Sequence, residues 1–290
     1  MCFTGDTMVI NTIEKLKSFL KQERERNKKI GLVPTMGFLH AGHLSLIERA
    51  KKENDIVVVS IFVNPTQFGP NEDFETYPRD IKEDSKKAME AGADIIFNPS
   101  VLEMYPNDSS TWVNVDGSIT SILCGASRPG HFKGVTTVVN MLFNIVEPDK
   151  AYFGQKDAQQ AAVLTKMVKD LHMKVELVIC PIVREVDGLA LSSRNSYLSD
   201  DERRQATILN KSLLVAFDAF QEGEKDAKKL ISIIKDNIST MPLAKIEYVK
   251  IYSYPSLCEL NHIEVPAIVA VAVKFGQTRL IDNIIIDKKK

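Results

Sequence analysis

The sequence predicts an α/β protein built on a doubly wound parallel sheet and followed by a smaller α+β region. Strand-like and helix-like segments alternate from Met8 to about Arg184, as they do in consecutive βαβ units. Residues 56–63 are apolar without alternation, which is typical of a parallel strand covered on both faces. After Arg184 helical patterns come first and β-rich segments follow, which indicates a second domain of different class.

The spacing of apolar residues places the elements of the first region. Strands are predicted over 29–33, 56–63, 94–97, 151–153 and 175–183, and helices over 43–54, 78–91, 134–146 and 157–171. Pro78 near the start of one helix and Gly92 just past its end support that assignment, because proline favours first turns and glycine favours C-terminal ends. Ligands of such a sheet are expected at the carboxyl ends of its strands.

The second region begins with residues 185–199, which are rich in Ser, Asn and Gly and predict a loop or hinge. Helices are predicted over 200–222 and 226–237, and strands joined by short turns over 244–252, 267–275 and 280–286. We therefore expect two domains, residues 1–184 and a small lid domain of residues 185–290.

Composition narrows the class of protein. The 290 residues are 44% hydrophobic and 26% charged, with a net charge of -1; these are values of a soluble globular protein without a footprint for nucleic acid. No signal peptide and no membrane-spanning apolar run is visible, so a cytoplasmic location is expected. The four cysteines lack CxxC spacing, which predicts neither a zinc site nor a disulfide framework.

In the first region, a histidine pair follows the predicted strand 29–33. The loop 34–37, Pro-Thr-Met-Gly, precedes His40 and His43, and a helical pattern starts directly behind them. Backbone N–H groups and the dipole at a helix start favour anions, and imidazole can donate to a phosphoryl oxygen or, when protonated, neutralise a leaving pyrophosphate. This arrangement predicts an ATP phosphate site; two ordinary surface histidines are the alternative.

Two neutral amides follow the buried strand 56–63. Asn64 and Gln67 would lie at the carboxyl edge of the sheet, where amides could orient a substrate that carries hydroxyl and carboxylate groups. A polar turn is the alternative, because Asn and Pro are common turn formers.

A glycine-containing basic segment follows at 128–134, with the sequence RPGHFKG. It combines Arg128, His131 and Lys133 in a predicted loop before a helix. The segment is either a mobile loop that binds anions or a solvated loop.

Two later segments could also contact phosphate. Gly154 ends a predicted strand, Lys156 follows at a helix start, and Gln160 lies one turn later on the same face as Lys156. For Asp157, a helix cap is the alternative. The run 191–194, Leu-Ser-Ser-Arg, offers two hydroxyls and a guanidinium that suit phosphate oxygens; a polar interdomain hinge is the alternative.

These segments together resemble the pantothenate synthetase (pantoate–β-alanine ligase) family. The matching stretches are PTMGFLHAGHLSL, VVSIFVNPTQFGPNEDFETYPRD, RPGHFKGVTTVV, FGQKDAQQ and DGLALSSRNSYLS, in that order between residues 34 and 199. The HAGH and SSRN segments also resemble the paired phosphate-binding motifs of class I aminoacyl-tRNA synthetases and nucleotidylyltransferases, which share the Rossmann-like nucleotide-binding core.

The resemblance implies an AMP-forming ligase that joins (R)-pantoate to β-alanine through pantoyl adenylate. ATP is then a substrate with Mg²⁺, whose protein ligands the resemblance leaves unnamed, and a homodimer is expected. The implied catalytic residues are His43, His40 and Lys156. The implied ATP contacts are Met36, Gly37, Phe38, Leu39, His40, Ala41, Gly42, His43, Gly154, Gln155, Lys156, Asp157, Val183, Leu191, Ser192, Ser193 and Arg194. Pantoate would be bound by Gln67, Gln160, Asn64 and Arg128, and β-alanine by Gln67.

Two other functions stay open at this point. One is a different nucleotidyl transfer, or amino-acid activation, on the same core. The other is a nucleotide-binding module without catalytic activity, such as a regulatory subunit.

Overall fold

The computed structural model describes residues 8–70, 72–264 and 266–287. These residues form two compact units. The first holds the described residues up to 116 together with 125–155 and 163–181; the second holds 117–124, 156–162 and the described residues from 182 onward. The domain boundary predicted between residues 184 and 185 stays a prediction. Cys2 and the lysine tail 288–290 lie outside the described residues.

The first unit contains a parallel sheet. Its described strands are β1 (Met8–Ile10), β2 (Ile30–Thr35), β3 (Ile56–Ile61), β4 (Ile95–Phe97), β5 (Lys150–Gly154) and β6 (Glu176–Cys180). They pair in the order β1-β4-β3-β2-β5-β6, and every pair is parallel. The chain leaves β2 toward β3 on one side and later enters β5 on the other, so the topological switch point lies between β2 and β5. The predicted α/β doubly wound class is confirmed.

Helices connect these strands. Those described before residue 182 are α1 (Ile13–Glu25), α2 (Ala41–Glu53), α3 (Ile81–Glu90), α4 (Val101–Met104), α5 (Ser118–Ser121), α6 (Cys124–Ser127), α7 (His131–Val146) and α8 (Ala158–Asp170). Helix α3 begins after Pro78 because the side chain of Asp80 accepts the N–H of Glu83 at 3.0 Å and caps the helix. Helix α7 begins at His131 directly after Gly130, whose φ is 82°. The prediction that the helix begins only at residue 134 is therefore wrong, since residues 131–133 of the predicted loop already belong to α7.

The core of the first unit explains the missing alternation in residues 56–63. Val57, Val58 and Val59 are all fully buried, because helices cover both faces of a parallel sheet. Val59 packs in one cluster with Ile47 of α2 and Ala88 of α3. None of the described helices is both long and apolar enough to cross a membrane.

The second unit packs helices on an antiparallel sheet. Its elements after residue 182 are α9 (Asp200–Ala206), α10 (Ile208–Gln221), α11 (Ala227–Ser239), β7 (Ala244–Ser253), β8 (Ala267–Phe275) and β9 (Thr278–Ile286), with β8 between β7 and β9. Leu213, Leu230 and Val271 meet in its core. The helix predicted over 200–222 is interrupted at Thr207, whose hydroxyl donates to the carbonyl of Arg204 at 2.9 Å. The predicted short turn between the first two strands is wrong, since the connection spans 254–266.

Acid should weaken the first unit through Glu53 at the end of α2. Its carboxylate accepts from Lys150 at 3.0 Å, from Arg49, and from the hydroxyl of Tyr152 at 3.0 Å. The hydrogen bond from Lys150, then that from Arg49, lowers the pKa of Glu53 from 4.5 to about 2. Because the folded pKa lies below the ordinary value, this contribution is complete above pH 4.5 and is lost as the pH falls toward 2.

The measurement is the free energy of unfolding in urea between pH 7 and pH 2. We expect the free energy of unfolding to decrease less steeply at low pH in Glu53→Gln than in the natural protein. Glu90→Gln, at the exposed end of α3, should leave this pH dependence unchanged. The same pH dependence of unfolding in Glu53→Gln and the natural protein would contradict a stabilising role of the Glu53 carboxylate.

Candidate active site

A buried carboxylate holds the loop that follows β2. Asp84 of α3 is 2% exposed and accepts the N–H groups of Phe38 at 2.7 Å and of Leu39 at 2.6 Å. Gly37 has φ +88°, and a Cβ there would lie 2.9 Å from the Asp84 carboxylate, so the position requires glycine. Asp84 and Met36 also line a cavity of about 390 Å³.

Sequence reasoning missed Asp84. The segment of α3, IKEDSKKAME, is dominated by charged residues and resembles a solvent-exposed helix. The available signal is its position, because Asp84 lies four residues before the fully buried Ala88 and therefore on the buried face of the helix.

The histidine pair lies at the start of α2. Nδ1 of His40, the N-cap residue, accepts the N–H of Gly42 at 3.1 Å, and Nδ1 of His43 accepts the N–H of His40 at 3.4 Å. The ring centroids are 4.1 Å apart. Because each Nδ1 is an acceptor, the proton of each neutral ring resides on Nε2. The capping contacts thus fix the tautomer of both histidines.

A buried amide orients Gln67 in the turn after β3. Asn64 is 1% exposed, and its Nδ2 donates to Oε1 of Gln67 at 3.1 Å and to the carbonyl of Gly134 at 3.2 Å. Its Oδ1 accepts from the hydroxyl of Tyr105 at 2.9 Å. Burial raises the pKa of Tyr105 above its ordinary value, so this hydroxyl keeps its proton at neutral pH. Nε2 of Gln67 consequently points to Sδ of Met36, 3.2 Å away.

Helix α7 packs against the same turn. A Cβ at position 134 would lie 2.7 Å from Cα of Gln67, closer than real Cβ atoms approach. Gly134 therefore permits direct backbone contact between α7 and the turn Pro65–Gln67.

Arg128 is engaged within the protein. Its Nε donates to Glu72 at 2.8 Å, its Nη2 donates to the same carboxylate, and Nη2 also lies 3.3 Å from the carbonyl of Gln67. Nδ1 of His131 contacts that carbonyl at 2.8 Å. Burial alone would raise the pKa of Glu72, but the hydrogen bonds and charge of Arg128 outweigh it and lower that pKa. Arg128 and His131 thus position Gln67 through its main chain.

In the second unit, the two adjacent glutamines of GQKDAQQ differ in their surroundings. Gln159 is 6% exposed; its Oε1 accepts the N–H of Cys124 at 2.9 Å, and its Nε2 donates to the carbonyls of Ile119 and Ile122 at 2.9 and 2.8 Å. The side-chain amide of Gln160 makes no hydrogen bond to any residue within the described ranges. Gln159 is therefore structural.

The serine-rich segment of the second unit is paired with residue 183. The N–H of Leu191 donates to the carbonyl of Val183 at 3.0 Å. The hydroxyl of Ser192 accepts the N–H of Arg194 at 3.3 Å and caps the short 3₁₀ helix Ser193–Tyr197.

The predicted site residues are distributed over both units. The first contains Met36 to His43, Asn64, Gln67, Arg128, Gly154 and Gln155; the second contains Lys156, Asp157, Gln160, Val183 and Leu191 to Arg194. Within the first unit, Met36 and Gly37 follow β2 and Gly154 ends β5, and these strands are paired neighbours. The loop Met36 to His43, here called the histidine loop, therefore lies beside the switch point, where such sheets bind ligands.

A doubly wound sheet with a histidine-capped helix beside its switch point defines an α/β protein of the Rossmann-like class. A family model described as Pantoate-beta-alanine ligase matches residues 8–285. The chain belongs to this family.

Relatives of known name match over nearly the whole chain. Pantothenate synthetase of Acetivibrio thermocellus is 58% identical over 279 residues, covering 96% of this chain and 99% of the relative. A crystal structure of pantothenate synthetase from Thermus thermophilus superimposes with a TM-score of 0.91 at 44% identity, covering 96% of this chain and 99% of that one. The ligase from Francisella tularensis, described as complexed with beta-gamma ATP and beta-alanine, has a TM-score of 0.78 at 35% identity, covering 97% and 98%.

Proposed function

We infer that this chain condenses (R)-pantoate with β-alanine at the expense of ATP, yielding pantothenate, AMP and pyrophosphate. The family match over residues 8–285 and the named relatives support the reaction. One structural observation carries it: Nε2 of Gln67 lies 3.2 Å from Met36, the residue that opens the histidine loop. A carboxylic acid bound by Gln67 would thus lie next to bound phosphates.

The first half-reaction activates pantoate. A carboxylate oxygen of pantoate attacks the α-phosphorus of ATP, the bond to the bridging oxygen breaks, and pyrophosphate leaves with that electron pair. Gln67, held by Asn64, is proposed to donate Nε2–H to pantoate, and Gln160 is proposed to be the second amide. The Nε2–H groups of His40 and His43 stabilise charge on the phosphates, where fixed donors lower the barrier most. Lys156 is proposed to do the same.

The second half-reaction forms the amide bond. The neutral amine of β-alanine attacks the acyl carbon of pantoyl adenylate, AMP leaves, and the amine proton passes to solvent. Gln67 is proposed to contact β-alanine as well. Alignment of the reactants and exclusion of water can promote this step. No covalent bond between the enzyme and the substrate is required.

The remaining assignments are proposals from the family resemblance. Main-chain groups of the loop Met36 to His43, of Gly154 to Asp157 and of Val183 are proposed to bind ATP, with Leu191 to Arg194 on its phosphates. Asn64 and Arg128 are proposed to act on pantoate through Gln67, which both contact. A homodimer and a cytoplasmic location are proposed on the same basis.

Mg²⁺ is proposed to enter with ATP, as the counter-ion of its phosphates. Among the described residues there is no group of three or more His, Cys, Asp or Glu side chains that could hold a metal. We therefore assign the ion no protein ligand.

The test is exchange of labelled pyrophosphate into ATP by the purified protein. We expect exchange that requires both pantoate and Mg²⁺, and pantothenate formation when β-alanine is added. Exchange with another acid but not with pantoate would indicate a different nucleotidyl transfer, and ATP binding without exchange or product would indicate a binding module.

A further inference from the structure

Two adjacent residues of β9 are buried and polar. Asp282 is 2% exposed and Asn283 is 4% exposed. Because neighbouring residues of a strand face opposite sides of the sheet, the side chains of Asp282 and Asn283 lie on different faces. Leu280, Ile284 and Ile286 share the parity of Asp282 and pack in the apolar core, so Asp282 is a charge on the core face and Asn283 lies on the other face.

Asn283 is bonded to the residue that carries the proposed phosphate-binding amine. Its Nδ2 donates to the carbonyl oxygen of Lys156 at 3.0 Å. Lys156 lies in the 3₁₀ turn Gln155–Asp157 that precedes α8. Its Nζ is 4.0 Å from Asp157, its ion-pair partner, at the limit of such a contact. The main chain of Lys156 is thus held by Asn283. Among the described residues, the ammonium group has only the long contact to Asp157.

Asp282 anchors a second segment of the proposed ATP site. Its carboxylate accepts from Nη1 of Arg184 at 2.6 Å and from Nη2 at 2.9 Å. Nη1 also donates to the carbonyl of Gly188 at 3.1 Å, and Arg184 pairs with Ala190 in an antiparallel bridge. One strand therefore holds both Lys156 and the hairpin that leads into Leu191.

We propose that Asn283 is a positioning residue that sets the main-chain position of Lys156, and with it the placement of the Lys156 ammonium group on the ATP phosphates. This inference rests on the proposed function. The adjacent Asp282 is held by its bidentate pair with Arg184, and such a pair keeps its partners in one geometry. The backbone of β9 at Asn283 is therefore held in place as well. Displacement of a catalytic group by about 1 Å can lower activity by about 100-fold.

The experiment measures the affinity for ATP by calorimetry in four proteins: the natural chain, Asn283→Ala, Lys156→Ala and the double variant. We expect Asn283→Ala to weaken ATP binding by about tenfold in the natural background and by less than twofold when Lys156 is already alanine, because a residue that acts through another loses its effect with it. Asn237→Ala is the matched control: its amide donates to the carbonyl of Ile233 within α11 at 2.8 Å, and its ATP affinity should be unchanged.

Several outcomes would overturn the inference. Unchanged ATP affinity in Asn283→Ala would do so, as would equal weakening in both backgrounds, which indicates a general structural role. If Asn283→Ala does not fold, Asn283→Leu fills a similar volume without a donor and takes its place in the cycle. Pyrophosphate exchange by the natural chain tests the proposed function separately. Absence of exchange would contradict the proposed reaction, whereas the calorimetric cycle tests the role of Asn283.

Discussion

Replacement of His43 by alanine is expected to lower the rate of pantoate-dependent pyrophosphate exchange by about 100-fold or more, the usual loss for one charge-stabilising donor. The reason is geometric: the N–H of His40 fixes the tautomer of His43, so that Nε2 of the neutral ring carries the proton. Initial rates of exchange at saturating ATP and pantoate provide the measurement.

The choice of replacement can locate the active nitrogen of His43. Glutamine extends an amide N–H to about the position of Nε2, whereas asparagine reaches only that of Nδ1, so His43→Gln should retain more activity than His43→Asn. His172→Asn is the control, because His172 is exposed at φ 49° and asparagine tolerates that conformation. Full exchange by a folded His43→Ala protein would remove His43 from the mechanism.

Replacement of Asp84 by alanine is expected to lower the free energy of unfolding by about 2–5 kcal/mol, since the N–H groups of Phe38 and Leu39 lose their buried acceptor. It should also raise the KM for ATP by about tenfold, because the loop from Met36 to Leu39 leads directly into the histidine pair. Urea unfolding and exchange kinetics of the same preparation measure the two effects.

Asp80→Ala separates these effects from general damage to α3. Asp80 caps the same helix through the N–H of Glu83, so its loss should cost about 1 kcal/mol and leave the KM for ATP unchanged. If Asp84→Ala and Asp80→Ala changed the KM equally, the loop would not depend on the Asp84 carboxylate.

The parallel sheet was predictable because each of its central strands is a short apolar run with a polar loop behind it. β3 is the clearest case, since Val57 to Val59 are buried on both faces and show no alternation. The helix at 200–222 was predicted as one element because apolar spacing continues across Thr207. Only the side-chain hydrogen bond of Thr207 to the preceding turn reveals the interruption.

The positions of His40, His43 and Gln67 after strand ends were predictable from their motifs, whereas their functional roles stay predictions. The residues that hold them were not predictable, because their partners are distant in sequence. Asp84 meets Phe38 across 46 positions and Asn283 meets Lys156 across 127. Periodicity shows the face on which a residue lies but not which distant backbone group it will meet.

The ion pair between Arg128 and Glu72 has a consequence for the chemistry of the acid substrate. A guanidinium paired with that substrate would withdraw electron density from its carboxylate and weaken it as an attacking group. Here Nε and Nη2 of Arg128 donate to Glu72, and the side chain that donates to Met36 is the uncharged amide of Gln67. If pantoate binds at Gln67 as proposed, its carboxylate would therefore keep its full negative charge for the attack on ATP.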